Sequence, residues 1–508
     1  MHIHSKLIPA LTASVFSLVA FTASPVWADK DHQQQIIMAT HGVAAGDVTS
    51  HSAVIWSRAN QESVMHVQII NHEEDDDDEI KSQSVRVTAA HDFTGNVQIN
   101  GLKPDTDYRY RVWFGNNKTN KHNKNNVEVG SFRTAPKVDD AKSVRFSWIG
   151  DLAGQNTCRD SVEGFPIFNA INAMPQDFVI GLGDMIYADG TCEATGRYGN
   201  AQIVGNFIQS ADMDNYWAHW KYNREDAKYQ SLLATTPYYA IWDDHEVVND
   251  FGPLHDTRTT PPYTAGDKLL PKGLAAFMDY NPITVNPETP KRLYRNVRWG
   301  KHMEMFILDT RQYRDANFAS DAASEPKTML GREELTWLKQ QLKKSDATWK
   351  IIVSSVPMSI PTGSSGERGR DGWANYLQEG GFEYELVDLL RYMQQNEMKN
   401  VAFLTTDVHF AEAFRYTPFS DDPSFQVYEF VSGPINAGVF PNRAFDDTLN
   451  PEQLFFFGAN SNKDVTTWEQ AKSWFNYGAM EIDENGRMTA SINDIDGKAL
   501  YEISVDPR

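Results

Sequence analysis

Asp151, Asp184, Tyr187, Asp244, His245, Asp407 and His409 stand at the ends of four short apolar runs: SWIGD, FVIGLGDMIY, AIWDDHE and VAFLTTDVH. Each run is rich in Ile, Val, Phe and Trp and reads as a buried strand whose carboxyl end delivers polar groups into one crevice. Carboxylate, phenol and imidazole groups converging from several strand ends describe a hard-metal hydrolytic centre.

The four segments differ in weight. A Gly-Asp after a strand often only caps the following helix, so Asp184 gains meaning from Tyr187 three residues on. A phenol at that spacing can return its oxygen to the same metal, and phenolate favours a trivalent ion such as iron; a hydrogen-bonded buried tyrosine is the plainer reading. Asp243-Asp244-His245-Glu246 places four ionisable groups directly after Tyr239-Ala240-Ile241-Trp242. In an ordinary core they would repel one another, and either a metal or an exposed loop would relieve that cost. Asp407 and His409 share one side of an extended segment, which suits a pair of ions.

The elements around these residues divide the chain. Its 508 residues, 41% hydrophobic, suffice for a large core and two or more domains. A net charge of -21 argues against a nucleic-acid groove, so a phosphate-bearing substrate must be drawn by local cations. Lys6, the apolar stretch Leu7 to Phe21 and the Val26-Trp27-Ala28 cleavage pattern read as a signal peptide over 1–28, with export to the periplasm or secretion and no stable membrane anchor. Cys158 and Cys192 form an even pair suited to a disulfide in an oxidising compartment, although Cys158 could instead be a ligand or a free thiol.

Residues 36–136 carry the two-residue period of antiparallel strands in Ala53 to Trp56, Val85 and Val87, and Tyr108 to Val112. This predicts a small β-sandwich, and Gly101 to Tyr108 resembles the tyrosine corner of fibronectin type III domains. The acidic run Glu73 to Glu79 reads as a solvated hairpin tip. Residues 142–508 alternate strands with helices, predicted over Trp217–Leu233, Gly331–Lys344 and Tyr384–Met398, and end in a hairpin set over Ala479–Val505.

Taken together, the motifs resemble the PhoD-like alkaline phosphatases within the calcineurin-like metallophosphoesterase group, over roughly residues 36 to 505. The resemblance implies an N-terminal all-β fibronectin/Ig-like sandwich followed by an α/β four-layer metallophosphoesterase domain. It implies a metal set of Asp151, Asp184, Tyr187, Asp244, Asp407 and His409, with DDHE in place of the group's GNHE and TDVH in place of GDVH. His245 then contacts the substrate oxygen, Arg311 is a candidate phosphate clamp, and Asn156 and Arg159 are weaker candidates. The structural alternative for Arg311 is a salt bridge with Asp309 or a neighbour.

The implied activity is exported, metal-dependent hydrolysis of small-molecule phosphoesters, as a phosphomonoesterase, a phosphodiesterase or both, with a metal-bridging hydroxide as nucleophile. The implied cofactor is a binuclear or multinuclear centre of Fe(3+) with Ca(2+), or of Zn(2+) or Mn(2+). Three features depart from the pattern. The wider group's DxH reads Asp151-Leu152-Ala153, no histidine follows the Ile351 to Pro357 strand, and the leader lacks an arginine pair, which favours ions acquired after export, such as calcium. A phospholipase- or phosphotriesterase-type enzyme with an apolar wall of Trp373, Tyr376 and Phe455 to Phe457 is the nearest alternative, and a non-enzymatic binding module the more distant one.

Overall fold

The computed structural model describes residues 36–71, 79–115, 127–252, 266–363, 370–375, 380–461 and 463–508. The expected signal peptide, most of the acidic run and Tyr376 lie outside the described residues. Residues 37–508 pack as one compact unit. No helix among the described residues is long and apolar enough to cross a membrane.

The strands in chain order are β1 (Ala39–Gly46), β2 (Ser52–Ala59), β3 (Ser63–Asn71), β4 (Glu79–Val87), β5 (Thr94–Asn100), β6 (Asp107–Phe114), β7 (Val127–Arg133), β8 (Val144–Ile149), β9 (Phe178–Gly181) and β10 (Tyr238–Ala240). They continue as β11 (Arg295–Trp299), β12 (Met303–Ile307), β13 (Trp349–Val353), β14 (Val401–Thr405), β15 (Ala411–Tyr416), β16 (Val427–Val431), β17 (Pro451–Phe457), β18 (Asn476–Ile482), β19 (Met488–Asp494) and β20 (Ala499–Val505). Seven helices accompany them: α1 (Phe168–Ala173), α2 (Met213–Arg224), α3 (Ala227–Thr235), α4 (Leu270–Tyr280), α5 (Gly331–Lys344), α6 (Glu383–Gln395) and α7 (Trp468–Lys472).

Three sheets result: nine strands in the order β20-β19-β18-β8-β9-β10-β1-β2-β5, seven in the order β11-β12-β13-β14-β16-β15-β17, and four in the order β4-β3-β6-β7. In the first, β8, β9 and β10 run parallel; in the second, β12, β13, β14 and β16 do. These are the apolar runs that precede the polar motifs, continuous rather than alternating because both faces are covered. One core cluster holds Phe146 and Trp148 of the first sheet with Met305, Ile351, Leu404 and Phe430 of the second, so the two sheets pack against each other. The far side of the second sheet, through Phe306, Ile352 and Phe403, packs on Leu338 and Leu342 of α5 and Leu386 and Leu389 of α6.

The N-terminal strands are joined to this framework through β1, which pairs in parallel with β10 at Gly46 and Tyr238. The two-residue period in β2 is present, but its strand is buried on both sides. Ala53 and Ile55 face the small core shared with Val67 and Tyr110. Trp56 faces the large core, 5.8 Å from the Tyr280 ring, with the Arg224 guanidinium 4.6 Å from its own ring. The Tyr108 hydroxyl accepts the Lys103 N–H at 2.9 Å, tying the turn at 101–107 to β6 as the sequence suggested.

The helix expected over 217–233 is two helices. Asp226 interrupts it because its carboxylate accepts from the backbone N–H groups of Lys228 and Tyr229, capping α3 and ending the continuity with α2. α5 occupies the predicted range, and α6 begins and ends within three residues of its own. The C-terminal strands form the expected hairpins, with Gly486 and Gly497 in the turns.

Trp56→Ala should destabilise the protein by about 3–5 kcal/mol, the cost of emptying a large buried aromatic site. Chemical denaturation followed by tryptophan fluorescence measures this; a loss under about 1 kcal/mol would show that the N-terminal strands are not anchored through this residue.

Candidate metal centre

Both large sheets point their carboxyl ends at one crevice. Asp151 follows β8, Asp184 follows β9, and Asp243, Asp244 and His245 follow β10. From the second sheet come Arg311 after β12, Ser355 after β13, and Asp407 and His409 after β14. The chain turns sharply as it leaves each sheet. Asp151, Asp184, Asp407 and His409 have φ of 63°, 53°, 77° and 60°, a left-handed region that residues with a Cβ adopt at a cost and that clusters at functional sites. Gly183 permits the approach of β9 and β10: its φ is 108°, and a Cβ there would lie 2.5 Å from that of Asp243. A Cβ on Gly433 would lie 2.2 Å from Asp151 Oδ2.

Four overlapping sets of side chains each bring ligand-type atoms within 4.8 Å of one another: Asp151, Asp184 and His409; Asp184, Asp244 and His245; Asp184, Asp243, Asp244 and Asp407; and Asp244, Asp250 and Asp371. Every carboxylate of the first three sets is buried except that of Asp407, which is partly exposed. One oxygen each of Asp151, Asp184, Asp243, Asp244 and Asp407 is buried without a hydrogen-bond partner. Unpaired, converging acidic oxygens are costly in an interior, and cations coordinated by several of them would remove the cost. The donor set, mostly carboxylate with the imidazoles of His409 and His245 and one phenol beside them, therefore fits hard cations.

The electrostatics show the same strain. Burial raises the Asp151 carboxyl to about 8, against a Thr406 hydroxyl that donates to its Oδ2 at 2.8 Å. Burial, followed by the charges of Asp244 and Asp243, pushes Asp184 well above the ordinary carboxylate range, and burial chiefly does the same to Asp407. Burial also raises the Tyr187 phenol, whose hydroxyl lies 2.8 Å from His409 Nε2. His409 shares its Nδ1 with the Gly438 carbonyl, which must accept, so Nδ1 carries the proton and Nε2 is left with a lone pair. Nε2 also lies 3.7 Å from Asp151 Oδ1, and burial holds the imidazole neutral, down to about 3. His245 behaves in the opposite way. Burial would lower it, but Asp189, 2.7 Å from its Nδ1, and Asp244 hold it up at about 10.

The six expected metal ligands all lie in this crevice, with Tyr187 entering through His409. Two of the expected substrate-contacting residues are engaged by the protein itself, although Arg311 Nη2 lies 3.6 Å from Asp244 Oδ1 at the wall of the crevice. Arg311 is fully buried, with Nε donating to Asp243 at 2.6 Å and Nη1 to Asp371 at 3.1 Å and the Phe251 carbonyl at 3.2 Å. A guanidinium set against three carboxylates is occupied in holding them, which favours the salt-bridge reading over the phosphate clamp, with Asp243, Asp244 and Asp371 rather than Asp309 as partners. Asn156 bonds to the Thr195 carbonyl, the Glu193 N–H and the Gln202 amide, shaping the loop beside the centre rather than reaching into it. Arg159 pairs with Glu225 at 2.9 Å.

Several residues were given no individual role from sequence, among them Asp243 and Glu246 of the DDHE run. Asp243 joins the ligand sets, and Glu246 accepts the backbone N–H groups of Asp184, Met185 and Asp243, fixing the turns that carry them. Asp189 and Asp250 carried no motif of their own; Asp189 is five residues past Asp184, outside the GDxxY spacing. Cys158 and Cys192 form a disulfide that joins the loops after β8 and β9. The apolar wall is not formed as expected. Trp373 is wholly inside the core of the second sheet, and Phe455 stacks on Tyr501 at 4.9 Å.

An acidic crevice at the carboxyl ends of two packed, largely parallel sheets, with neutral imidazole and phenol at its edge, defines a metal-dependent hydrolase class. Residues 146–492 match the PhoD-like phosphatase family and residues 24–136 its N-terminal domain, and the chain belongs to the PhoD-like phosphatase family. It is 25% identical over 457 residues to alkaline phosphatase D of Bacillus subtilis (strain 168), covering 82% of this chain and 73% of that relative. The solved structure of PhoD superposes with a TM-score of 0.71 at 21% identity over 92% of both chains. The purple acid phosphatase PPD1 from yellow lupin (Lupinus luteus) seeds does so with a TM-score of 0.56 at 14% identity, over 92% of this chain and 74% of its own. The family makes the chain a phosphoric ester hydrolase, with small-molecule phosphoesters as its substrates.

Stripped of metal, the protein should lose stability as pH rises. Asp151 and Asp250, both at about 8, and Glu246, at about 7, titrate above their unfolded values, mainly through burial, so the folded state holds extra protons up to that range. His409, lowered from 6.5 to about 3, acts in the opposite direction, but only below 6.5. Three carboxylates outweigh that one imidazole below pH 6.5, and His245, held up at about 10, adds to the loss above it, so the net fall should begin near pH 5 and run through pH 8, and added Ca(2+) should raise the melting temperature more at the upper end. Melts in chelator that rise across this window would contradict the arrangement.

Proposed function

We propose that this protein is an exported metal-dependent phosphoester hydrolase whose centre is held by Asp151, Asp184, Tyr187, Asp243, Asp244, Asp407 and His409. The single observation that carries the reading is the set of five buried carboxylate oxygens that converge without hydrogen-bond partners. The reading includes an Fe(3+) and Ca(2+) content, export through residues 1–28, and an Ig-like sandwich over 36–136 ahead of a four-layer catalytic domain over 142–508. When bound, such a centre supplies an activated water for attack on phosphorus and offsets the charge of the phosphoryl oxygens.

The protein's own groups define what surrounds that attack. Asp189 takes up Nδ1 of His245 and leaves Nε2 for a substrate oxygen, and the charged imidazole can donate a hydrogen bond or a proton to the departing alkoxide. Arg311 holds Asp243 from behind, and Ser355 donates to the same Oδ1 at 2.6 Å, so the other Asp243 oxygen is left facing the crevice. Thr406 does the same for Asp151. His409 is oriented by the Gly438 carbonyl with its lone pair toward Tyr187 and Asp151.

Asp244 and His245 should fail differently. Asp244→Ala should lose metal and activity together, whereas His245→Ala should keep its metal and lose roughly 10²-fold or more in turnover, the scale of a positioned acid. A nitrophenolate leaving group, which needs no proton, should suffer less than an alkyl alcohol. Elemental analysis beside steady-state rates gives the answer, and equal metal loss in both variants would make His245 a ligand. For Tyr187, the purified protein should show a visible charge-transfer band that disappears in Tyr187→Phe; a band that survives the substitution would remove the phenol from the iron site.

A further inference from the structure

Arg197 and Arg443 lie on loops stitched together beside His409. The Arg197 N–H donates to the Asn156 carbonyl at 2.8 Å, and the Gly438 N–H donates to Gln155 Oε1 at 3.1 Å. The Val439 N–H donates to the Tyr198 hydroxyl at 2.8 Å, joining the residue after Arg197 to the loop that bears Arg443. On that loop Phe440 stacks on the His409 ring, with centroids 4.3 Å apart and planes within 12°. Arg443 Nη1 donates to the Pro361 carbonyl at 3.3 Å, which fixes its head toward the segment after β13.

Both residues are exposed. Among the described residues Arg197 packs on the Tyr198 ring at 5.8 Å and Arg443 bonds a carbonyl, and neither pairs with a carboxylate. The loops that bear them reach the centre's edge through the Val439–Tyr198 bond and the Phe440 ring stacked on His409.

The setting gives these cations a task. The chain carries a net charge of -21 and its crevice is lined with carboxylates, so an anionic substrate approaches against the overall field. Arg311 and Arg314, the arginines nearest the second sheet's strand ends, are buried and bonded within the protein. Exposed guanidinium groups keep donor faces for two anionic oxygens, and their weak hydration lowers the cost of meeting them.

We propose that Arg197 and Arg443 form a second anion subsite at the mouth of the centre, selecting phosphomonoesters whose alcohol portion carries a further carboxylate or phosphate. The inference rests on the phosphoester hydrolase reading above. The reacting phosphoryl group enters the acidic crevice, and the remote anion meets the two guanidinium groups.

The test compares 3-phosphoglycerate with glycerol 3-phosphate, which differ by a carboxylate in place of a hydroxymethyl group. The wild-type protein should favour the former in kcat/KM. Arg197→Gln and Arg443→Gln should each raise its KM about tenfold, the scale of one charge-assisted contact, with kcat unchanged and glycerol 3-phosphate within about twofold. The double variant should abolish the preference. Equal losses on both compounds would assign the arginines to the reacting phosphoryl group and overturn the subsite, as would no loss on either. Calorimetric binding of the two compounds separates the subsite from the chemistry. Should neither compound be hydrolysed, the reading of the centre fails, while an arginine-dependent preference in binding still supports the subsite and equal binding still refutes it.

Discussion

Mutual repulsion among buried carboxylates is the constraint around which this protein is organised. At an effective dielectric of about 20, two such charges about 4 Å apart repel by about 4 kcal/mol, and Asp151, Asp184, Asp243 and Asp244 are all withdrawn from water in one crevice. No arrangement of neutral neighbours cancels that cost. The fold tolerates it because backbone and side-chain donors take one oxygen of several carboxylates and leave the other directed inward. Thr406 serves Asp151, Arg311 and Ser355 serve Asp243, and the Asp250 N–H serves Asp244.

Positions of these groups follow from parallel strand packing. Side chains just past the carboxyl ends of β8, β9 and β10 meet those past β12, β13 and β14 because the sheets pack through one core of Trp148, Ile351, Leu404 and their neighbours. Each chain then has to leave its sheet abruptly, and four site residues accept left-handed backbone to do so. Glu246 gathers three backbone N–H groups of the two turns at once, so the second and third strand ends are coupled through one carboxylate. The Cys158–Cys192 disulfide performs a related task on the outer loops.

The N-terminal strands belong to the same framework. Through the β1–β10 pairing the first sheet runs from the catalytic strands into β1, β2 and β5, and Trp56 on β2 is packed by Tyr280 and Arg224 of the later chain. The N-terminal strands keep a core of their own, and Ala44 and Trp56 are the points at which they enter the large core formed by the later chain.

The sequence by itself determined the apolar strands, the polar groups at their ends, and the ligand types those groups offer, because strand burial and metal preference are written in local residue type. It also determined α5 and the C-terminal hairpins, where periodicity and turn glycines act over a few residues. Only the tertiary structure decided which ionisable groups pair with one another. Arg311 could serve phosphate or protein until Asp243 and Asp371 were seen against it, and Asp189 had no local signal until its carboxylate met His245. The α2–α3 break belongs with these, since a single aspartate competes with helix continuation by capping the next turn. Long-range pairing, burial from both faces and the direction of a lone pair depend on residues distant in the chain, and they take form only when the sheets close on one another.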